Sequence, residues 1–158
     1  MKSYDKIKNY TTTITVEKTV MEIERMLATA GASKILKEYD TNGNIILLTF
    51  IVKTDMGEIP IRLPLEIDKI ILVFNGLVKT RKLPQSYYNN KPQALRVCWR
   101  ILKDWLDAQL TLIQIDTAKM EQIFLPYVYD YHNNITMYQA IKDGGFQMPI
   151  LSPREDGE

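Results

Sequence analysis

Residues 44 to 54, NIILLTFIVKT, constrain the fold more than any other stretch of this chain. Ile46, Leu48, Phe50 and Val52 alternate onto one face of a strand, yet Ile45, Leu47 and Ile51 make the opposite face apolar as well. A strand apolar on both sides needs cover on both sides. That cover is expected from a helix of the same chain or from a second copy of it.

The flanking segments supply strands to pair with it. SKILKEY (33 to 39) runs into DTNG, whose Asn42-Gly43 pair suits the positive backbone angles of a tight hairpin turn. Beyond DMGE, EIPIRLP (58 to 64) sets Ile59, Ile61 and Leu63 on one side and Glu58, Pro60 and Arg62 on the other. Pro60 cannot donate to a neighbour, so this third strand is expected at an edge.

The remainder reads as helical. Thr19 followed by Glu22 has capping-box spacing ahead of Val20, Ile23, Leu27 and Ala30, which predicts a helix over 19–30 stopped by Gly31. Thr11, Thr12, Thr13 and Thr15 lack that partner. Pro64 suits the first turn of a helix running to about residue 78. A loop, KTRKLPQSYYNNK, leads to the longest helix, 92–115. A helix from about 117 should stop or kink at Pro126, and a short one over 135–143, with Thr136 and Gln139 at capping-box spacing, should end at Gly144 and Gly145. The expected fold is α+β: an N-terminal helix, a three-stranded antiparallel meander and a helical C-terminal half. One domain over 1–146 is expected, with residues 147–158 as a flexible polar tail.

On the 92–115 helix, Arg96, Arg100, Lys103, Asp107, Thr111 and Gln114 form one narrow polar stripe. Cys98, Trp99, Leu102, Trp105, Leu106 and Leu110 spread over the rest, the pattern of a central helix with several neighbours. Both tryptophans are read as core anchors. Arg100 with Asp104 and Lys103 with Asp107 are one turn apart and read as self-paired on a solvated face. Cys98, the only cysteine, has no identifiable base nearby and reads as an inert packed thiol.

Several chemistries are set aside by what is missing. A lone cysteine forms no internal disulfide and fits a reducing cytoplasm; a lone histidine, His132, cannot build a multi-imidazole metal site and reads as a surface or capping residue. No GxSxG elbow, P-loop or GxGxxG turn occurs. The carboxylate pairs Asp104 with Asp107 and Asp55 with Glu58 have spacings too common to mark a catalytic dyad. No enzymatic activity, metal or cofactor is expected. The charged start MKSYDKIKNY lacks the apolar run of a secretory signal, and no apolar stretch approaches the roughly 20 residues that span a bilayer.

Net charge is only +1, but it is segregated. Residues 1–78 hold ten bases and ten acids, residues 79–103 hold seven bases and no acid, and residues 104–158 hold nine acids against three bases. Lys79, Arg81 and Lys82, followed by Tyr87, Tyr88 and Lys91 and then by Arg96 and Arg100, combine phosphate-neutralising charge with stackable rings, as single-stranded nucleic acid requires. The competing expectation is that this basic segment packs beside the acidic C-terminal helices and is neutralised within the molecule.

ITVEKTVMEIERMLATAGA (14–32), RVCWRILKDWLDAQLTLIQ (96–114), FLPYV (124–128) and TMYQAIKDGGF (136–146) resemble a group of small bacteriophage and prophage proteins. That group has no established activity, so no functional residue carries over. The resemblance implies a viral protein working in the host bacterial cytoplasm, where proteins of this size assist DNA replication or recombination or block a host factor. The layout is also similar to that of single-strand annealing proteins, which is a likeness of arrangement. The expected function is thus a non-catalytic phage accessory protein contacting nucleic acid, with a protein-binding inhibitor of a host defence or host factor as the alternative. A homo-oligomer fits either, and no membrane partner is expected.

Overall fold

A computed structural model describes residues 7–55 and 57–145. Helix α1 (Val16–Thr29) leads into strands β1 (Ala32–Tyr39), β2 (Ile45–Thr54) and β3 (Gly57–Arg62), followed by α2 (Ile67–Lys79) and the long α3 (Lys91–Gln114). The short α4 (Met120–Phe124), a two-residue hairpin of β4 (Tyr129–Asp130) and β5 (Ile135–Thr136), and α5 (Met137–Asp143) complete the described chain. The fold is α+β with the expected order of elements. The predicted tail, 147–158, lies outside the described residues.

The three strands form an antiparallel sheet in the order β1-β2-β3, with Gly43 at φ 79° in the first turn. Pro60 sits on β3 at one margin, and Val128 adds a single bridge to Ile61 beyond it. On the core face of β2, Leu48, Phe50 and Val52 are buried with Ile23 and Leu27 of α1, Trp99, Leu102 and Leu106 of α3, and Phe124 of α4. Trp99 is fully buried, and its indole Nε1 donates to the Ile45 carbonyl at 3.1 Å, joining the central helix to the central strand. Trp105 is only half-buried, edge-on to Phe124 at 5.8 Å and to Tyr127 at 5.4 Å. One tryptophan is thus a core anchor and the other a border residue.

The second apolar face of β2 receives its cover from charged side chains of its own sheet. Lys34 on β1 reaches across to Glu58 on β3 at 3.1 Å, and Arg62 on β3 reaches Glu38 on β1 at 3.2 Å. Lys34 stands opposite Ile51 and Arg62 opposite Thr49, so their aliphatic stems cover apolar surface while the Lys34 end stays in water and the Arg62 side chain is largely buried. The Arg62 guanidinium also lies over the Tyr129 ring at 3.6 Å, which ties the C-terminal hairpin to this face.

Three element boundaries differ from expectation. Helix α1 starts at Val16 because the Thr15 hydroxyl accepts from the Lys18 backbone, whereas Thr19 is buried inside the helix. Pro64 precedes α2 by three residues, because the chain continues as strand: Leu63 is buried and its N–H pairs with the Leu48 carbonyl. Helix α4 begins at Met120, after a turn in which Asp116 takes a left-handed backbone. The caps of α3 by Asn90 and of α5 by Thr136 lie at the predicted helix starts. Among the described residues no helix is long and apolar enough to cross a membrane.

Candidate nucleic-acid interface

A second, smaller core holds α2 and the basic loop against the first half of α3: Phe74, Leu77, Leu83, Ala94 and Val97 are buried together. Leu83 is the anchor of the loop. The chain reaches it by a tight helix ending in which the Lys82 N–H bonds to the Leu77 carbonyl at 2.8 Å and the Arg81 N–H to the Val78 carbonyl at 3.0 Å. That bonding pattern requires a left-handed residue just past the helix end, usually glycine. Here it is Arg81, at φ 57°.

The far end of the loop is equally fixed. Asn89 donates its backbone N–H to the Asn75 side chain at 2.8 Å and accepts from the Asn75 amide at 2.7 Å. Asn75 is one helical turn before Lys79 on the same face of α2, so these two hydrogen bonds tie the far end of the loop back to that face. Tyr88 is 42% exposed. Tyr87 is turned inward, edge-on to Phe74 at 5.2 Å, and its hydroxyl donates to the Tyr10 carbonyl at 3.2 Å.

The eight residues singled out in the sequence therefore divide. Lys79, Arg81, Lys82 and Tyr88 are exposed around the end of α2, and Lys79 and Arg81 meet no carboxylate among the described residues. Lys91 meets Asp40 of the β1–β2 turn at 3.5 Å. Arg96 is held by the side-chain oxygen of Gln93, and Arg100, only 15% exposed, bonds Glu22 of α1 at 2.7 Å. Arg100 thus pairs with α1, away from Asp104, which instead accepts from Asn9 at 2.9 Å and meets Lys8 at 3.1 Å. Burial raises the Asp104 carboxyl, but the Asn9 and Lys8 contacts outweigh it and hold the group below its ordinary range. Lys103 does pair with Asp107, at 3.8 Å. The carboxylates that neutralise α3 therefore come from Glu22, Asp40 and its own Asp107, while the more C-terminal acids stay in local contacts such as Asp130 with Asn133.

Burial pushes the Cys98 thiol up to about 11, so at neutral pH it is neither thiolate nor accessible. His132 is exposed and uses its backbone N–H to bond Asp130 at 2.8 Å. No group of three His, Cys, Asp or Glu side chains converges as a metal site among the described residues.

Asp40 is a structural carboxylate whose signal was present in the turn sequence DTNG. The Asn44 side chain and then its backbone N–H, with the Asn42 N–H and Lys91, hold its carboxyl at about 2 against an ordinary 3.8. A depressed carboxyl contributes stability above its ordinary range and loses it as pH falls from about 4 toward about 2. Asp40→Asn should flatten the acid limb of the stability curve in that window. Chemical denaturation at stepped pH checks this: a limb as steep as that of the parent would assign the acid sensitivity to other groups.

Comparison with known protein families, with characterised proteins and with solved structures finds no match for this chain.

Proposed function

We propose that this chain is a non-catalytic accessory protein that contacts single-stranded nucleic acid through Lys79, Arg81, Lys82 and Tyr88, in the bacteriophage setting its sequence resemblance implies. The observation that supports this reading most is Arg81. A non-glycine residue in the left-handed region costs on the order of 1 kcal/mol, and nothing in the fold requires a guanidinium there. Cations at a helix C-terminus also favour the helix dipole by tenths of a kcal/mol. Lys79 in the last turn serves that purpose by itself. Arg81 and Lys82 lie beyond the helix, on a loop whose two ends are pinned, so the backbone that carries them is already ordered before binding.

Fluorescence anisotropy with a short single-stranded DNA at low salt tests the reading. Three phosphate contacts predict a slope of log affinity against log salt of about −2. Arg81→Gly should bind more weakly, with a slope shallower by about 0.7, and should be as stable as the parent or more so by up to ~1 kcal/mol. Absence of binding at low salt, or a slope that Arg81→Gly leaves unchanged, removes this function.

A cleft of about 450 Å³ between the C-terminal ends of α1 and α3, lined by Met26, Ala30, Leu110 and Ile113, favours the second reading, a protein-binding inhibitor of a host factor. Ile115 beside it is 64% exposed. A stoichiometric partner retained after nuclease treatment and lost with Ile115→Lys would select this reading.

A further inference from the structure

We propose that the outer edge of β1 seats a second copy of this chain, paired antiparallel about Leu36, so that two three-stranded sheets join into one of six strands. This is independent of any nucleic-acid contact.

The edge is open. Among the described residues β1 pairs only with β2, and its other side carries a row of backbone donors and acceptors with no strand against it. Such edges are protein-pairing templates unless they are blunted. Irregularities between Ala32 and Lys34 and between Glu38 and Tyr39 break the ladder at both ends, leaving Lys34–Glu38 as the regular stretch. Within it, Lys34, Leu36 and Glu38 share one face, opposite Ile51, Thr49 and Leu47, and Leu36 is 50% exposed.

The order lysine, leucine, glutamate is self-complementary. A two-fold axis through Leu36 sets Leu36 against Leu36 of the second copy, Lys34 against its Glu38 and Glu38 against its Lys34. Directly opposed side chains of opposite charge stabilise an antiparallel pair, and like charges destabilise it. An axis on Lys34, Lys37 or Glu38 would oppose like charges and one on Ile35 would set Lys34 against Leu36, so the Leu36 axis is the register in which opposite charges meet. The cross-sheet pairs already present extend the pattern. Arg62 and Glu38 of one copy would continue into Lys34 and Glu58 of the other, with signs alternating across the joined sheet. On the other face Met21 (46% exposed) and Ala28 of α1 flank the same edge above Ala32 and Ile35, so the second copy would also cover this apolar flank. A lysine on an edge strand often serves only to repel partners. Placed two residues from an exposed leucine and four from a glutamate, it favours the one register in which it meets that glutamate.

Size-exclusion chromatography with light scattering on the full chain tests this. The parent should run at twice the 18.4 kDa of one chain. Leu36→Lys and Leu36→Glu should each run at the single-chain mass, since each opposes like charges at the axis, and their equimolar mixture should recover the doubled mass. Leu36 is half-exposed, so circular dichroism should report both variants folded. In a second measurement, Leu36→Cys should cross-link to itself on mild oxidation, because opposed antiparallel residues lie within disulfide reach, whereas Lys34→Cys should not. A parent that stays at the single-chain mass, or a doubled mass that survives Leu36→Lys, overturns the proposal.

Discussion

Trp99→Ala should cost about 3–5 kcal/mol, a large share of the roughly 5–15 kcal/mol that holds a domain of this size folded. Trp99 is the largest fully buried side chain, and it sits where α1, β2 and α3 meet. Removing it opens a cavity in the core it shares with Ile23, Leu48, Phe50 and Leu106, all fully buried. It also leaves the Ile45 carbonyl without its indole donor. Trp99→Phe separates the two losses, keeping most of the volume while giving up the bond, and should cost about 1–3 kcal/mol. Urea titration followed by far-ultraviolet circular dichroism reads both. A Trp99→Ala midpoint within the error of the parent would mean that the two layers are not joined through this residue.

The sheet was legible in the sequence because its signals are local. Asn42-Gly43 sets the first turn, alternation sets the faces of β3, and Pro60 sets its edge, each within a few residues. The start of α5 was legible because the Thr136 side chain faces its target, the Gln139 N–H, whereas the Asn90 cap of α3 was not read. Capping-box spacing alone misplaced the start of α1. Val16, Thr19, Val20, Ile23 and Leu27 fall on one apolar stripe, and that periodicity already puts Thr19 inside the helix.

The charge pairing was not legible. Arg100 is 78 residues from Glu22 and Lys91 is 51 from Asp40, so spacing along α3 pointed to Asp104 as the partner of Arg100 when the tertiary fold offered a better one. Seven bases in a row of sequence thus became two populations. Those on α3 are taken up by the fold, whereas Lys79 and Arg81 at the end of α2 meet no carboxylate among the described residues. The smaller set makes a weaker electrostatic footprint, which is why the expected salt slope is about −2 and not the steeper value that all seven bases would imply.

Gln93 carried no signal at all in the sequence, and its replacement should have the second-largest effect. Its amide nitrogen donates to the Tyr10 carbonyl at 2.8 Å and to the Thr12 carbonyl at 3.0 Å, while its oxygen accepts from Arg96. One buried side chain therefore fastens the N-terminal arm, residues 7–14, across the start of α3. Gln93→Leu keeps the volume but strands the Thr12 carbonyl and the Arg96 guanidinium, and leaves the Tyr10 carbonyl with the Tyr87 hydroxyl alone. Left buried, each stranded group would cost about 1–3 kcal/mol, and the arm can avoid that by lifting into water at the expense of Ile7 and Tyr10 packing. The smaller of the two costs wins, so the expected loss is about 2 kcal/mol and it is local. Hydrogen exchange should quicken at the amides of residues 8–14 and remain slow in β2, the reverse of Trp99→Ala, which should release the sheet as well. Tyr87 hangs from the same Tyr10 carbonyl, so loosening the arm also loosens the floor beneath the basic loop, and Gln93→Leu should weaken nucleic-acid binding without touching any cation that makes it. Unchanged exchange in the arm would show that apolar packing holds it and that Gln93 is dispensable.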